Sequence, residues 1–130
     1  MNLYTEDYSF TSETKEVMNI IQTPIINLVN WVFDGIEAKH CTQVQGINGI
    51  YSIIRKAIMR EKLPEEYVIS TQIKEVYTIF YELLCKGYSE DFLYCIALTE
   101  VGADIAEATI RRGLAIRKAR RREILRKAGK

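Results

Sequence analysis

Residues 17–36 read VMNIIQTPIINLVNWVFDGI, and their period decides the fold. Val17, Ile20, Ile21, Ile25, Leu28, Val32 and Ile36 recur at steps of three and four, the spacing that gathers apolar side chains on one face of a helix. Thr11 or Ser12 is placed to cap its start, with Glu13 and Glu16 near the positive end of its dipole. Pro24 removes the hydrogen bond to the Ile20 carbonyl, so the spacing predicts a kink over residues 20–24 or two shorter helices. Gly35 and the polar stretch 39–48, followed by Gly49, read as the next break.

The same period continues outward from this helix. A second helix is expected over residues 50–61, with Ile50, Ile53, Ile54, Ala57 and Ile58 inward and Arg55, Lys56 and Arg60 outward. Pro64, Glu65 and Glu66 suit the first turn of a third helix, whose buried face runs through Ile69, Ile73, Val76, Phe80 and Leu83. The β-branched run at 68–71 leaves room for a break near Ser70. Gly87 supplies a left-handed stop, and Ser89, Glu90 and Asp91 supply the cap and first turn of a fourth helix ending near Gly102. Asp104, Ile105, Ala108, Ile110, Leu114 and Ile116 then suggest a fifth.

No useful stretch alternates with a period of two. The expectation is therefore an all-α, single-domain bundle of about five helices with a basic C-terminal helix. Residues 1–116 form the bundle with a short N-terminal arm, and residues 117–130 form the basic extension. There is no internal repeat and no low-complexity linker.

Composition agrees with this reading. With 48% apolar and 27% charged residues, seven Gly and two Pro in 130, a disordered or collagen-like chain is excluded. A chain of this size buries roughly two thirds of the surface its unfolded form exposes, enough for a core without metal or disulfide staples. Cys41, Cys85 and Cys95 form no CxxC pair and read as reduced thiols filling the core of a cytoplasmic protein. Glu6 and Asp7 stand where a signal peptide needs positive charge. The longest apolar run, residues 25–33, is broken by Asn27 and Asn30 and falls short of the roughly 20 residues of a membrane span.

The net charge of +1 conceals a marked asymmetry. Residues 111–130 hold ten of the 18 Lys/Arg and one of the 17 acids, for +9, leaving eight bases against 16 acids, or −8, in residues 1–110. Residues 117–122 read RKARRR, and the apolar stripe lapses there. Arg117 and Arg121, Lys118 and Arg122, and Arg122 and Arg126 are like-charged neighbours four apart, each unfavourable on a helix by roughly 0.2–0.5 kcal/mol. An external anion relieves that repulsion. Arg outnumbers Lys seven to three in this segment, and the guanidinium fork matches phosphate bidentately.

The expected nucleic-acid contacts are therefore Arg111, Arg112, Arg117, Lys118, Arg120, Arg121, Arg122, Arg126 and Lys127, with an acidic protein surface as the other anionic partner. The competing reading is a solvated helix end, or a tail folded onto its own body. A sharper version makes residues 88–113 a helix-turn-helix, with residues 99–102 as the turn and Thr109, Arg111 and Arg112 approaching bases or phosphates.

Enzymatic chemistry finds little support. His40 is the single histidine and stands next to Cys41, where adjacent residues neither share a metal nor face one another as a nucleophile–base pair. Glu65–Glu66 and Glu90–Asp91 suit helix first turns, and no phosphate-cradling glycine loop is present. No cofactor and no metal are expected. The alternative function is an inhibitor or adaptor whose acidic, tyrosine-bearing body enters a partner's basic groove through Glu75, Tyr77, Tyr81 and Glu82. Self-association is a further option for the partner.

Overall fold

The structure, a computed structural model, describes residues 12–62, 70–113 and 124–127. Four helices, α1 (Ser12–Glu37), α2 (Gln43–Met59), α3 (Thr71–Cys85) and α4 (Glu90–Arg112), together with a helical segment at 124–127, make an all-α bundle of about five helices. No strand occurs among the described residues.

Most of the core comes from the residues whose spacing predicted it, with Phe33 and Val101 added and Val32, expected inward, only half-buried. Val17, Ile21, Ile25, Leu28 and Phe33 of α1 meet Ile50, Ile54 and Ile58 of α2, Phe80 and Leu83 of α3, and Leu93 and Val101 of α4. α1 packs against all three other helices, and α2 packs against both α3 and α4. The Tyr88 hydroxyl lies 3.4 Å from Glu16, while Arg112 reaches Asp34 and Glu37 at the other end. α1 and α4 therefore run side by side in the same direction.

Four boundaries differ from the sequence expectation, each for a local reason. α1 continues through Pro24 as one helix, because the apolar face on both sides of the proline is buried. It also passes Gly35 to bury Ile36, and the chain turns only at Lys39, whose φ of 63° is left-handed. α2 starts at Gln43 instead of residue 50, nucleated by a capping box. The Gln45 amide donates to Thr42 Oγ1 at 3.1 Å, and the Thr42 amide donates to Gln45 Oε1 at 3.0 Å. Gly46, inside the stretch expected to break the chain, is instead where α2 meets α1: a Cβ there would lie 2.6 Å from Ile36 Cδ1.

The fourth difference bears on function. The expected fourth and fifth helices are one, α4, which runs unbroken through residues 99–102. Residues 88–113 are not a helix-turn-helix. Ala97, Val101 and Ile105 keep the packing stripe continuous across the expected turn, and Gly102 is accommodated as an ordinary helical residue. Thr109 turns its hydroxyl back to the Ile105 carbonyl at 2.7 Å instead of outward to a base. Ile110, expected on the packing face, is 69% exposed.

Other terminators follow the sequence. Gly87 sits at φ 101°, with its amide on the Leu84 carbonyl and the Tyr88 amide on the Leu83 carbonyl, the paired bonds that close a helix through a left-handed residue. Ser89 caps α4 by accepting from the Phe92 amide. Ser70 caps α3, so a helix start stands where the β-branched run left room for a break. Pro64, Glu65, Glu66 and Ile69, and likewise Leu114 and Ile116, lie outside the described residues.

Candidate functional site

The last turn of α4 brings Arg111 and Arg112 onto the C-terminal half of α1. Arg112 Nη1 donates to Asp34 Oδ1 at 2.8 Å and Glu37 Oε1 at 3.2 Å, and its Nη2 donates to Asn30 Oδ1 at 3.3 Å. Arg111 Nη2 donates to the same Asn30 oxygen at 3.0 Å. The Arg112 side chain is only 17% exposed. Burial works against its charge, yet hydrogen bonds and attraction from Asp34 and Glu37 outweigh burial and raise its pKa. Arg112, expected to offer its fork to an external phosphate, thus directs it at carboxylates of its own body. Gly113 then takes a left-handed conformation, its amide on the Thr109 carbonyl, and ends the helix.

Of the remaining expected phosphate contacts, Arg126 and Lys127 lie in the exposed helical segment 124–127. Arg117, Lys118, Arg120, Arg121 and Arg122 lie outside the described residues.

The expected partner residues on α3 divide between two flanks. Tyr77 and Tyr81 face the end of α2, where Arg60, a left-handed cap residue, lies over both rings at 5.8 and 4.8 Å. Arg60 Nη1 also donates to the Tyr77 carbonyl, and the Tyr77 hydroxyl donates to the Glu61 carbonyl at 2.9 Å. Burial raises the Tyr77 phenol pKa, against the opposing pull of the Arg60 cation. These tyrosines hold α2 to α3, although Tyr81 keeps 53% of its surface exposed. Glu75 and Glu82 are exposed and lie about 100–160° round the helix from them, at 100° per residue, so the four do not form one patch.

Sequence reasoning passed over the outer face of α1. Asn27, Asn30, Trp31 and Asp34 stand at steps of three and four, a run of amides, one indole and one carboxylate on a single stripe. Opposite them, Gln72 and Glu75 of α3 complete a cleft of about 210 Å³. The available signal was the placement of the only tryptophan, 41% exposed, among polar residues on a helix that is otherwise apolar-faced.

The cysteines are less buried than expected. Cys85 and Cys95 are exposed and Cys41 is half-buried, each with a free thiol. Solvated positions on α3 and α4 took the two thiols because the apolar stripes there were already complete without them. His40 is exposed in the α1–α2 loop. Among the described residues no three His, Cys, Asp or Glu side chains are grouped to hold a metal ion, and no helix is long and apolar enough to cross a membrane.

No protein-family model matches the chain, nor does any curated protein or solved structure compared with it.

Proposed function

We propose that this protein is a non-enzymatic, cytoplasmic, nucleic-acid-binding protein that engages phosphates through the basic segment after α4. The observation that carries this is the charge segregation, eight bases against one acid (+7) in residues 113–130 and ten against 16 (−6) in the rest of the chain, joined to a helix whose end is fixed in place. Arg111 and Arg112 tie the last turn of α4 to α1, so the basic segment departs from a defined point on an acidic body. The body repels phosphate and leaves binding to the segment. Three free thiols support the reducing compartment.

With α4 unbroken, binding proceeds by phosphate contact without a groove-reading helix pair. Arg117, Lys118, Arg120, Arg121, Arg122, Arg126 and Lys127 carry it, and seven such contacts imply a steep salt dependence, with log K falling by about six per tenfold rise in salt on duplex DNA. The test is retention of a labelled duplex and a labelled single strand by the full chain, from low to physiological salt. Replacing Arg117, Arg120, Arg121 and Arg122 by Gln is expected to lower affinity by at least 100-fold at low salt and flatten the slope by about three to four. Equal retention by the substituted chain, or none by the native chain at low salt, overturns the reading.

A further inference from the structure

The cleft between α1 and α3 is a second recognition site of different chemistry. Asn27, Asn30, Trp31 and Asp34 form one wall and Gln72 and Glu75 the other, around about 210 Å³. That is smaller than the roughly 300–1,000 Å³ of sites for drug-sized ligands and suits one side-chain head group. Its lining includes two carboxylates, three amides and an indole. Glu75 is exposed and has no ion pair among the described residues. Asp34 keeps 68% of its side chain exposed although Arg112 lies on one of its oxygens, and a carboxylate has further lone pairs to offer.

We propose that this cleft receives an arginine side chain from a basic segment of a protein partner. Guanidinium stacks on indole faces and donates two parallel hydrogen bonds to a carboxylate, whereas the ammonium of lysine is a point charge without a plane. The fold already displays this preference. Asn30 and Asp34, which line the cleft, hold the guanidinium groups of Arg112 and, at Asn30, Arg111 on the side toward α4. The α1 stripe thus binds guanidinium on one flank and presents the same chemistry, with Trp31 and Glu75 added, on the other. Phosphate is disfavoured there, because Asp34 and Glu75 are both anionic and the adjacent Arg112 is committed to carboxylates. Trp31 also borders a larger, mainly apolar depression of about 440 Å³ on its other side, which suits an apolar residue next to the arginine.

The chain reports on its own site, since Trp31 is its only tryptophan. The probe is fluorescein-labelled hexa-arginine, followed by anisotropy with the full-length chain at physiological salt, and unlabelled hexa-arginine, followed by Trp31 emission. Hexa-arginine is expected to shift Trp31 emission and to bind more tightly than hexa-lysine. Glu75→Gln is expected to weaken it by about 10-fold, through loss of a hydrogen bond to a charged group. Trp31→Leu is expected to weaken it by about 5-fold. Glu90→Gln, which removes an equal charge from the far end of the bundle at the start of α4, should leave affinity within about 2-fold, with thermal unfolding monitored for all three variants. Equal weakening by Glu75→Gln and Glu90→Gln would reduce the effect to general attraction by an acidic body and overturn the proposal. A shift of Trp31 emission by oligothymidylate but not by hexa-arginine overturns it in favour of base stacking. Because the readout is Trp31 and the probe is cationic, the result stands apart from the phosphate-binding test above.

Discussion

α4 carries two charged clusters with opposite fates. At its C-terminus Arg111 and Arg112 find Asn30, Asp34 and Glu37 on α1. Two turns earlier Glu100, Asp104 and Glu107 follow one another at steps of four and three, and Asp104 Oδ2 is buried without a hydrogen-bond partner among the described residues. Burial raises the pKa of both Glu100 and Asp104, and the next acid along the stripe raises each further. The helix backbone is the same in both places. What differs is what each cluster meets, acceptors of α1 for the arginines and the next acid of the same stripe for Glu100 and Asp104, and the charge of a residue alone therefore says little about whether it is free for an external partner.

The paired cluster is the larger lever. Arg112→Met keeps the aliphatic stem and removes the fork, leaving Asp34 and Glu37 without their cation. A charged hydrogen-bonded group of this kind contributes about 1.5–3 kcal/mol, and the exposure of both carboxylates discounts that to about 1–2 kcal/mol. For a chain of this length the midpoint of thermal unfolding should fall by about 5 °C. A fall of less than about 1 °C in circular dichroism melts would show that the clamp adds nothing to the fold.

This contrast also marks how far sequence could reach. Helix number, class and core were legible because Val17, Ile21, Ile25, Leu28, Val76, Phe80 and Leu83 repeat at helical spacing and need nothing else to explain them. The Gly87 stop and Ser89 cap were legible for the same reason: both act within a few residues. Glycines inside helices misled, because Gly35, Gly46 and Gly102 look like punctuation locally and are overridden by packing. The Arg112 clamp lay beyond reach, since it joins residues 78 apart, and nothing in a run of arginines marks the one that turns inward. The α1–α3 cleft needed two helices to be set side by side before Trp31 and Glu75 could be seen to share it.

Gly102, between Glu100 and Asp104, tests whether α4 runs unbroken through the acidic stripe. A Cβ there would meet only the Tyr51 hydroxyl, at 3.8 Å, an ordinary contact. In a helix interior Gly→Ala stabilises by about 0.5–1 kcal/mol, so Gly102→Ala should raise the melting midpoint by about 2–4 °C. In a helix-turn-helix, with position 102 in the turn, the same change would be neutral or destabilising. A lowered midpoint would therefore restore a break at residues 99–102, within the acidic stripe between Glu100 and Asp104.

The smallest effect belongs to the unpaired cluster and shows itself through pH. Folding raises the pKa of Asp104 from its ordinary 3.8, burial first and Glu107 second, so the native chain holds this proton more tightly than the unfolded chain does. An acid shifted upward favours the native state fully below its unfolded pKa, and that contribution is lost as pH rises through the folded value. Asp104→Asn carries no charge to lose. At neutral pH it removes like-charge repulsion along the stripe, about 0.2–0.5 kcal/mol per pair, and should melt about 1–2 °C above the native chain. Below the ordinary carboxylate pKa the native Asp104 is protonated in both states, the repulsion is absent, and the difference should close. A gain of equal size at acid and neutral pH would mean that the substitution acts through packing or helix propensity, and that the acidic stripe is no more strained than the arginine clamp beside it.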